Sequence, residues 1–147
     1  MRLQEKIKEE LKQALKDKDK IKLDALRGLS ADIVNELVAK GRKPNEEAED
    51  ELVLNVIKRA IKQRKESVKE FRAGKRDDLA EKEEKEAEVL QSFMPDAPSD
   101  EEIEKVIKEC KNEKGEDIGA VMSCAIAKLG PAADGAKVKE FADKILR

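Results

Sequence analysis

Residues 54–93 read LNVIKRAIKQRKESVKEFRAGKRDDLAEKEEKEAEVLQSF, and they decide the fold because two helical stripes flank one glycine. In the first half, apolar side chains recur every three or four residues, which indicates one face of an α-helix. They are Leu54, Ile57, Ile61, Val68 and Phe71. A second stripe with the same spacing follows Gly74: Leu79, Glu83, Glu86, Leu90 and Phe93. The stretch therefore predicts a helical hairpin that turns at Gly74.

Two charged side chains interrupt the apolar seam of this hairpin. Folding the stripes back on each other about Gly74 places Arg64 opposite Glu86, with Glu83 one turn away. Arginine suits such a position because its stem packs on aliphatic side chains while its planar fork holds a carboxylate. We interpret the cluster as structural, since a buried pair fixes register more reliably than it adds stability.

The next face of the first hairpin helix is basic. Its cations recur at intervals of four, three, four, three and four residues: Lys58, Lys62, Lys65, Lys69, Arg72 and Arg76. This face, which we call the basic ridge, extends over about five turns at a rise of about 1.5 Å per residue. Most charged runs are solvated helix faces. The alternatives are a surface that follows nucleic-acid phosphates and a surface that binds a protein.

The composition limits the class of protein. A chain of 147 residues holds one domain or two small ones. Charged residues make up 45% and aromatic residues 2%, which is typical of long amphipathic helices with exposed ion pairs. The net charge of −2 argues against a general nucleic-acid coat but leaves room for a local basic ridge. With no membrane-spanning run and no cleavable signal pattern over 1–20, we expect a cytoplasmic protein and no membrane partner.

The sequence offers little for catalysis or metal binding. It contains no histidine, the commonest general base and metal ligand. It also lacks the glycine-rich phosphate loops and the serine nucleophile turn. Cys110 and Cys124 both lie on apolar helical stripes, so in a reducing compartment we expect free, buried thiols instead of a disulfide or a metal pair. We expect no catalytic residue, no metal and no cofactor, which favours an interaction module over an enzyme.

The first half of the chain contains two further predicted helices. The first covers 3–15 and ends at a break over 17–19. The second carries an apolar stripe that we expect Val34 and Val38 to widen. Asn45 is predicted to cap the hairpin's first helix, with the two glutamates that follow it in the first turn.

The proline-rich stretch Met94–Pro98 predicts a domain boundary. Domain 1–94 is expected to be an antiparallel bundle of about four helices that includes the long hairpin 46–93. Domain 95–147 is expected to be a three-helix bundle, and cap residues mark its helix starts: Ser99, Asp117 and Asp134. Since no segment shows a strand pattern, the predicted fold class is all-α.

Several strings in the chain match a known family. KQRKES at 62–67 and AGKRDDL at 73–79 resemble the signature of the YqeY-like (GatB/YqeY domain) family. The match continues at further positions: Phe71, Glu83, Glu86, Leu90, Met94, Pro95, DIGAVM at 117–122 and ADG at 133–135. The resemblance covers essentially the full chain. It departs at Lys75 and at 131–132, where the family more often has a glycine and a basic residue.

The resemblance implies an all-α protein in two parts and a role linked to tRNA. The same domain is appended to the B subunit of the glutamine-dependent amidotransferase that converts misacylated Glu-tRNA or Asp-tRNA to Gln-tRNA or Asn-tRNA. There it helps to engage the tRNA, while other domains perform the amidation. The resemblance therefore implies a free-standing tRNA-recognition module.

Three functions remain open from the sequence. The first is binding of tRNA or another structured RNA by backbone shape, through the basic ridge and through three lysines of the second domain: Lys128, Lys137 and Lys139. The second is an adaptor that docks on an amidotransferase or synthetase partner through a helix face. The third is a carbon–nitrogen ligase with glutamine as the amido donor, which rests on the family label alone.

Overall fold

The structure, a computed structural model, describes residues 2–146. Within that range it contains seven α-helices and no strand, which confirms the all-α prediction. The helices are α1 Leu3–Asp17, α2 Lys20–Ala39, α3 Asp50–Ala73, α4 Asp77–Gln91, α5 Asp100–Lys114, α6 Ile118–Leu129 and α7 Gly135–Leu146. They form two compact units, one ending at Met94 and the other beginning at Pro95.

The first unit consists of α1–α4 around one aliphatic core, in which α4 packs back along α3. The α1–α2 turn lies at the predicted break, where Lys18 adopts a left-handed conformation (φ 57°) and Asp19 caps α2 by accepting a hydrogen bond from the Lys22 N–H. The largest fully buried side chains of this core come from all four helices: Ile7, Leu26, Leu29, Ile33, Leu37, Val53, Ile57 and Leu90.

The start of α3 differs from the prediction. Asn45 does not cap a helix, because residues 45–49 form a loop and α3 begins at Asp50. The Arg42 guanidinium holds this loop through three hydrogen bonds, to the Glu46 carboxylate, the Glu49 carboxylate and the Glu47 carbonyl. Ala48 is fully buried, and its N–H donates to the Gln4 side chain. The loop is thus part of the packed structure, and the hairpin begins at Asp50 instead of residue 46.

Two other local predictions need correction. Val34 and Val38 do not widen the buried stripe of α2, since they are 36% and 51% exposed. The buried face lies further round the helix, at Ala25 and Leu29 as well as the predicted leucines. Gly74 does follow the last residue of α3, but its φ is −85°. The left-handed residue of the turn is Lys75, with φ 58°.

The second unit packs α5, α6 and α7 around a separate core. Its three predicted caps are confirmed: Ser99 accepts a hydrogen bond from the Glu102 N–H, Asp117 from the Gly119 N–H and Asp134 from the Ala136 N–H. The core side chains are Ile103, Ile107, Cys110, Val121, Ala125, Ala133, Val138 and Ala142.

The prediction of free thiols is wrong in the structure. Cys110 of α5 and Cys124 of α6 form a disulfide, with Cα atoms 5.8 Å apart. The helical periodicity correctly directs both cysteines inward, but α5 and α6 bring them into the same seam. Their separation lies within the roughly 4.4–6.8 Å that a disulfide spans.

Candidate functional site

The predicted charged pair lies inside the first unit, where three helices meet. Arg64 Nε of α3 is 3.6 Å from Glu86 Oε2 of α4, and the two side chains are 17% and 8% exposed. The guanidinium also reaches α2, because a Cβ atom on Gly28 would lie 3.5 Å from Arg64 Nη2. The pair therefore connects α3 to α4 beneath the surface of the hairpin.

The surroundings of Glu86 oppose its negative charge. Burial raises the pKa of the Glu86 carboxyl, and the nearby Arg64 only partly offsets this effect. Glu83 and Asp24 raise that pKa further, while Lys82, 4.0 Å from Asp24, lowers it. The predicted contact between Arg64 and Glu86 is therefore present and enclosed by helices, and its structural role stays a prediction.

The basic segment of α3 divides into arginines that bridge helices and lysines that face solvent. Between residues 58 and 72 it contains seven cations and two carboxylates. Arg59 binds Glu36 of α2 at 2.6 Å, which lowers the pKa of the Glu36 carboxyl. Arg72 binds Glu84 of α4. Because guanidinium forks suit carboxylates, the arginines are engaged by neighbouring helices.

The middle of the basic ridge has uncompensated charge. Lys62, Lys65 and Lys69 are exposed, and none forms an ion pair within 4 Å among the residues that the structure describes. The C-terminal end is compensated, since Arg72 binds Glu84. The prediction that Arg76 continues this helix face is wrong, because α3 ends at Ala73 and Arg76 is the N-cap residue of α4, with its Nε 3.6 Å from Asp78 Oδ1. Lys58, at the other end, is also exposed. We call the middle three residues the lysine triplet.

A groove of about 500 Å³ lies between α4 and two members of the lysine triplet, Lys65 and Lys69. Its floor is apolar and consists of Ile61, Val68 and Ala87. The walls have opposite charge: Lys65 and Lys69 on α3, and Glu84 and Glu88 on α4, where the neutral Gln91 also lines the groove. The sequence analysis missed this groove. Its only signal in the sequence is the spacing of Glu84, Glu88 and Gln91, at intervals of four and three residues. A helix face that is simply exposed to solvent has the same pattern.

The second unit presents less free positive charge than predicted. Lys128 Nζ lies 2.9 Å from Glu113 Oε1 and 3.9 Å from Glu109 Oε2. Its hydrogen bond with Glu113 raises the pKa of the lysine and lowers that of the carboxyl. Lys137 Nζ lies 2.6 Å from Asp100 Oδ1, which raises the pKa of Lys137.

Lys139 is exposed and has no ion pair within the described part of the chain. Because exposed ion pairs are weak, a phosphate could displace the carboxylates from the other two lysines. The role of Lys128, Lys137 and Lys139 in RNA binding stays a prediction.

Two further properties bear on the class of protein. Within residues 2–146, no group of three or more potential metal-ligating side chains comes together. Over the same residues, no helix is both long enough and apolar enough to cross a bilayer.

The geometry of a helical hairpin with a basic ridge, followed by a three-helix unit, can be compared with known proteins. The family model described as Yqey-like protein matches residues 4–146. The chain belongs to the YqeY-like family. Membership covers both units, so the hairpin and the three-helix unit are parts of one family domain arrangement.

Curated relatives of this YqeY-like chain include fungal proteins named altered inheritance of mitochondria protein 41, mitochondrial. The relative from Pyrenophora tritici-repentis is 33% identical over 127 residues, which are 80% of this chain and 68% of the relative. The relative from Saccharomyces cerevisiae is 32% identical over 117 residues, 75% of this chain and 61% of the relative. The chain thus spans about two thirds of the length of these relatives. Their names place those proteins in mitochondria, and the cytoplasmic location expected here stays a prediction.

Proposed function

We propose that this YqeY-like chain binds tRNA or another structured RNA through the basic ridge and performs no chemistry on it. The observation that carries the proposal is the lysine triplet, Lys62, Lys65 and Lys69, exposed on one face of α3 with no carboxylate partner among the described residues. The YqeY-like family supports this direction, since the resemblance implies a domain that engages tRNA.

The triplet is suited to phosphates because one helix, α3, carries its three lysines in a continuous row. Lys62 and Lys69 are seven residues apart, which corresponds to about 10 Å along a helix. A nucleic-acid duplex presents phosphates densely, about one charge per 1.7 Å of axis in B-DNA, so each ammonium group can reach one. The arginines do not compete for these positions, because α2 and α4 carboxylates bind Arg59 and Arg72.

Recognition on this surface should depend on shape and not on base sequence. The chain has no Tyr or Trp and only three Phe. Phe93 is buried and Phe71 is partly buried, so neither offers an open ring for stacking a base. Contacts to phosphates and 2′-hydroxyl groups remain, and these recognise the form of a folded RNA.

Binding of total tRNA at several salt concentrations tests the proposal. The test variant is Lys62→Gln, Lys65→Gln and Lys69→Gln combined. The matched control is Lys8→Gln, Lys12→Gln and Lys16→Gln, which removes the same charge from three exposed lysines of α1. We expect the test variant to bind tRNA at least about tenfold more weakly. The slope of the logarithm of the binding constant against the logarithm of the salt concentration should become less negative by about two, because each phosphate contact contributes about 0.7–0.9 to it. Equal effects of the two variants, or binding independent of salt, would refute the proposal.

The α3–α4 groove favours a second candidate, an adaptor that docks on a partner protein. An amphipathic partner helix could cover the apolar floor, with acidic residues along Lys65 and Lys69 and basic residues along Glu84 and Glu88. Glu88→Lys separates the two functions. It adds a cation beside the ridge, so RNA binding should tighten, whereas docking of a helix with a basic flank should weaken.

Gel filtration with a purified tRNA-dependent amidotransferase at high salt tests whether the chain docks on a partner protein. A stoichiometric complex that survives high salt and is lost in Glu88→Lys would favour the adaptor over the RNA module. The third function, carbon–nitrogen ligase activity, has its own assay: amide transfer by the purified chain with glutamine, ATP and misacylated tRNA.

A further inference from the structure

Two rows of carboxylates border the lysine triplet, one on each side. The first row lies on α3 itself, where Glu66 and Glu70 are exposed and form no ion pair within the described part of the chain. At 3.6 residues per turn, Glu66 lies about 40° and Glu70 about 80° round the helix from Lys62. Both lie on the side away from the groove, which Lys65 lines.

Helix α4 supplies the second row. Glu84 and Glu88 line the groove opposite the lysines of α3. Arg72 binds Glu84, whereas Glu88 is exposed and has no ion pair among the residues that the structure describes. We call the two rows together the flanking glutamates: Glu66, Glu70, Glu84 and Glu88.

Beyond the first row, the surface remains short of free positive charge. A pocket of about 290 Å³ lies between α2 and α3 on this side. Among the described residues that line it, the one cation is Arg59, and Glu36 binds it at 2.6 Å. Asp32 adds a half-buried carboxylate. The lysine triplet is therefore a narrow cationic row that is bordered by carboxylates or by neutralised pairs.

We propose that the flanking glutamates restrict this surface to one strand of phosphates, so that it binds an unpaired RNA strand in preference to a duplex. The inference rests on the proposed function, since it requires that the lysine triplet contacts RNA. An unpaired strand carries a single row of phosphates. That row can follow the lysines along α3 and keep its distance from the glutamates on both sides.

A duplex brings a second strand of phosphates to the same surface. In B-DNA the two strands together carry about one charge per 1.7 Å of axis, against about one per 3.4 Å for each strand. The second strand meets a row of glutamates on whichever side of the triplet it lies, and like charges repel within a screening distance of about 8 Å at physiological ionic strength. A stiff duplex cannot bend sharply away from these carboxylates, whereas an unpaired strand can.

Fluorescence anisotropy of the full chain with two RNA probes tests this preference, with total tRNA as the reference ligand. One probe is a single strand of oligouridine, and the other is a blunt RNA duplex of the same length. Charge density alone would favour the duplex. We expect the single strand to bind at least about fivefold more tightly, because three unpaired glutamates repel the second strand across a screened distance.

Binding of tRNA together with equal or tighter binding of the duplex probe would overturn this inference alone. Binding of tRNA with no binding of oligouridine would do the same. A chain that binds neither tRNA nor either probe would overturn the proposed function and this inference with it.

A charge variant assigns the preference to the glutamates. The test variant combines Glu66→Gln, Glu70→Gln and Glu88→Gln and retains Glu84, which Arg72 binds. Duplex binding should tighten at least about fivefold and the preference for the single strand should disappear, because the repulsion is removed.

The matched control removes the same charge from three exposed glutamates elsewhere in the first unit: Glu5→Gln, Glu9→Gln and Glu51→Gln. This control should keep the preference for the single strand. Equal effects of the two variants on duplex binding, or a preference that survives in the test variant, would overturn the role of the flanking glutamates.

Discussion

Arg64 Nε lies 3.6 Å from Glu86 Oε2, yet this buried nitrogen makes no hydrogen bond with any residue that the structure describes. The pair is thus electrostatic, without the directed hydrogen bonds that usually accompany a buried ion pair. Its attraction offsets only part of the free energy needed to remove both groups from water. The pair is better suited to fixing the register of α3 on α4 than to stabilising the hairpin.

The first prediction concerns removal of one partner. Arg64→Met should destabilise the first unit by about 3 kcal/mol, because Glu86 then remains buried without a counter-charge. The double variant Arg64→Met with Glu86→Leu should recover most of the loss, since it replaces the pair with apolar groups. Denaturant unfolding of both variants measures the difference. A single variant as stable as the parent would contradict the role assigned to the pair.

The second prediction concerns pH. Burial raises the pKa of Glu86 in the folded protein above its ordinary 4.5, so the folded state holds this proton more tightly than the unfolded state. The resulting stabilisation is fully present below the ordinary pKa and is lost as the pH rises through the folded pKa. From pH 7 to pH 5, the parent should therefore gain stability relative to Glu86→Gln. A stability difference that does not change with pH would exclude the raised pKa.

Glu86→Gln is the necessary reference because other carboxyl groups respond in the opposite sense. Glu36, Glu49 and Glu113 have lowered pKa values, and the hydrogen bonds from their cationic partners are the main cause. Their contribution to the stability of the folded protein is lost as the pH falls. It is common to parent and variant, so it cancels in the difference.

The third prediction concerns the disulfide between Cys110 and Cys124, which are 14 positions apart. Closing a loop of about 15 residues stabilises a folded unit by about 3 kcal/mol in the chain-entropy description. Reduction should lower the unfolding temperature of the second unit and leave the first unit unchanged. Cys124→Ser should match the reduced protein and should not respond to reductant. An unfolding curve that is insensitive to reductant in the parent would show that the disulfide contributes no stability.

The fourth prediction concerns the hairpin turn. Lys75, and not Gly74, has the left-handed conformation that favours glycine. Lys75→Gly should stabilise the first unit by about 0.5–1 kcal/mol, because it removes a steric penalty of about 1–2 kcal/mol and loses some chain entropy.

Gly74→Ala is the paired control for this turn. A Cβ there would sit 3.5 Å from the Glu70 carbonyl oxygen, at ordinary contact distance, so the change should be close to neutral. Thermal unfolding compares the two variants. A large loss of stability in Gly74→Ala would show that the turn requires glycine at position 74.

Helical spacing alone was sufficient to predict the hairpin, its turn near Gly74 and the meeting of Arg64 with Glu86. These features are local or follow from one reversal of the chain, and the period of an α-helix is constant. Side-chain oxygens at Ser99, Asp117 and Asp134 likewise predicted their caps, because a cap depends on residues within one turn. The family resemblance rested on strings that lie largely on these same elements.

Only the tertiary structure decided which groups meet across helices that are separated in sequence. It placed Ala48 in the core and so delayed the start of α3, and it brought Cys110 and Cys124 into one seam. It also brought Arg72 to Glu84, left the lysine triplet without carboxylate partners among the described residues, and left Ile118 and Ile126 of α6 exposed. Periodicity reports which side of a helix is apolar or charged. The neighbour that covers that side, or the absence of one, follows from how the helices pack.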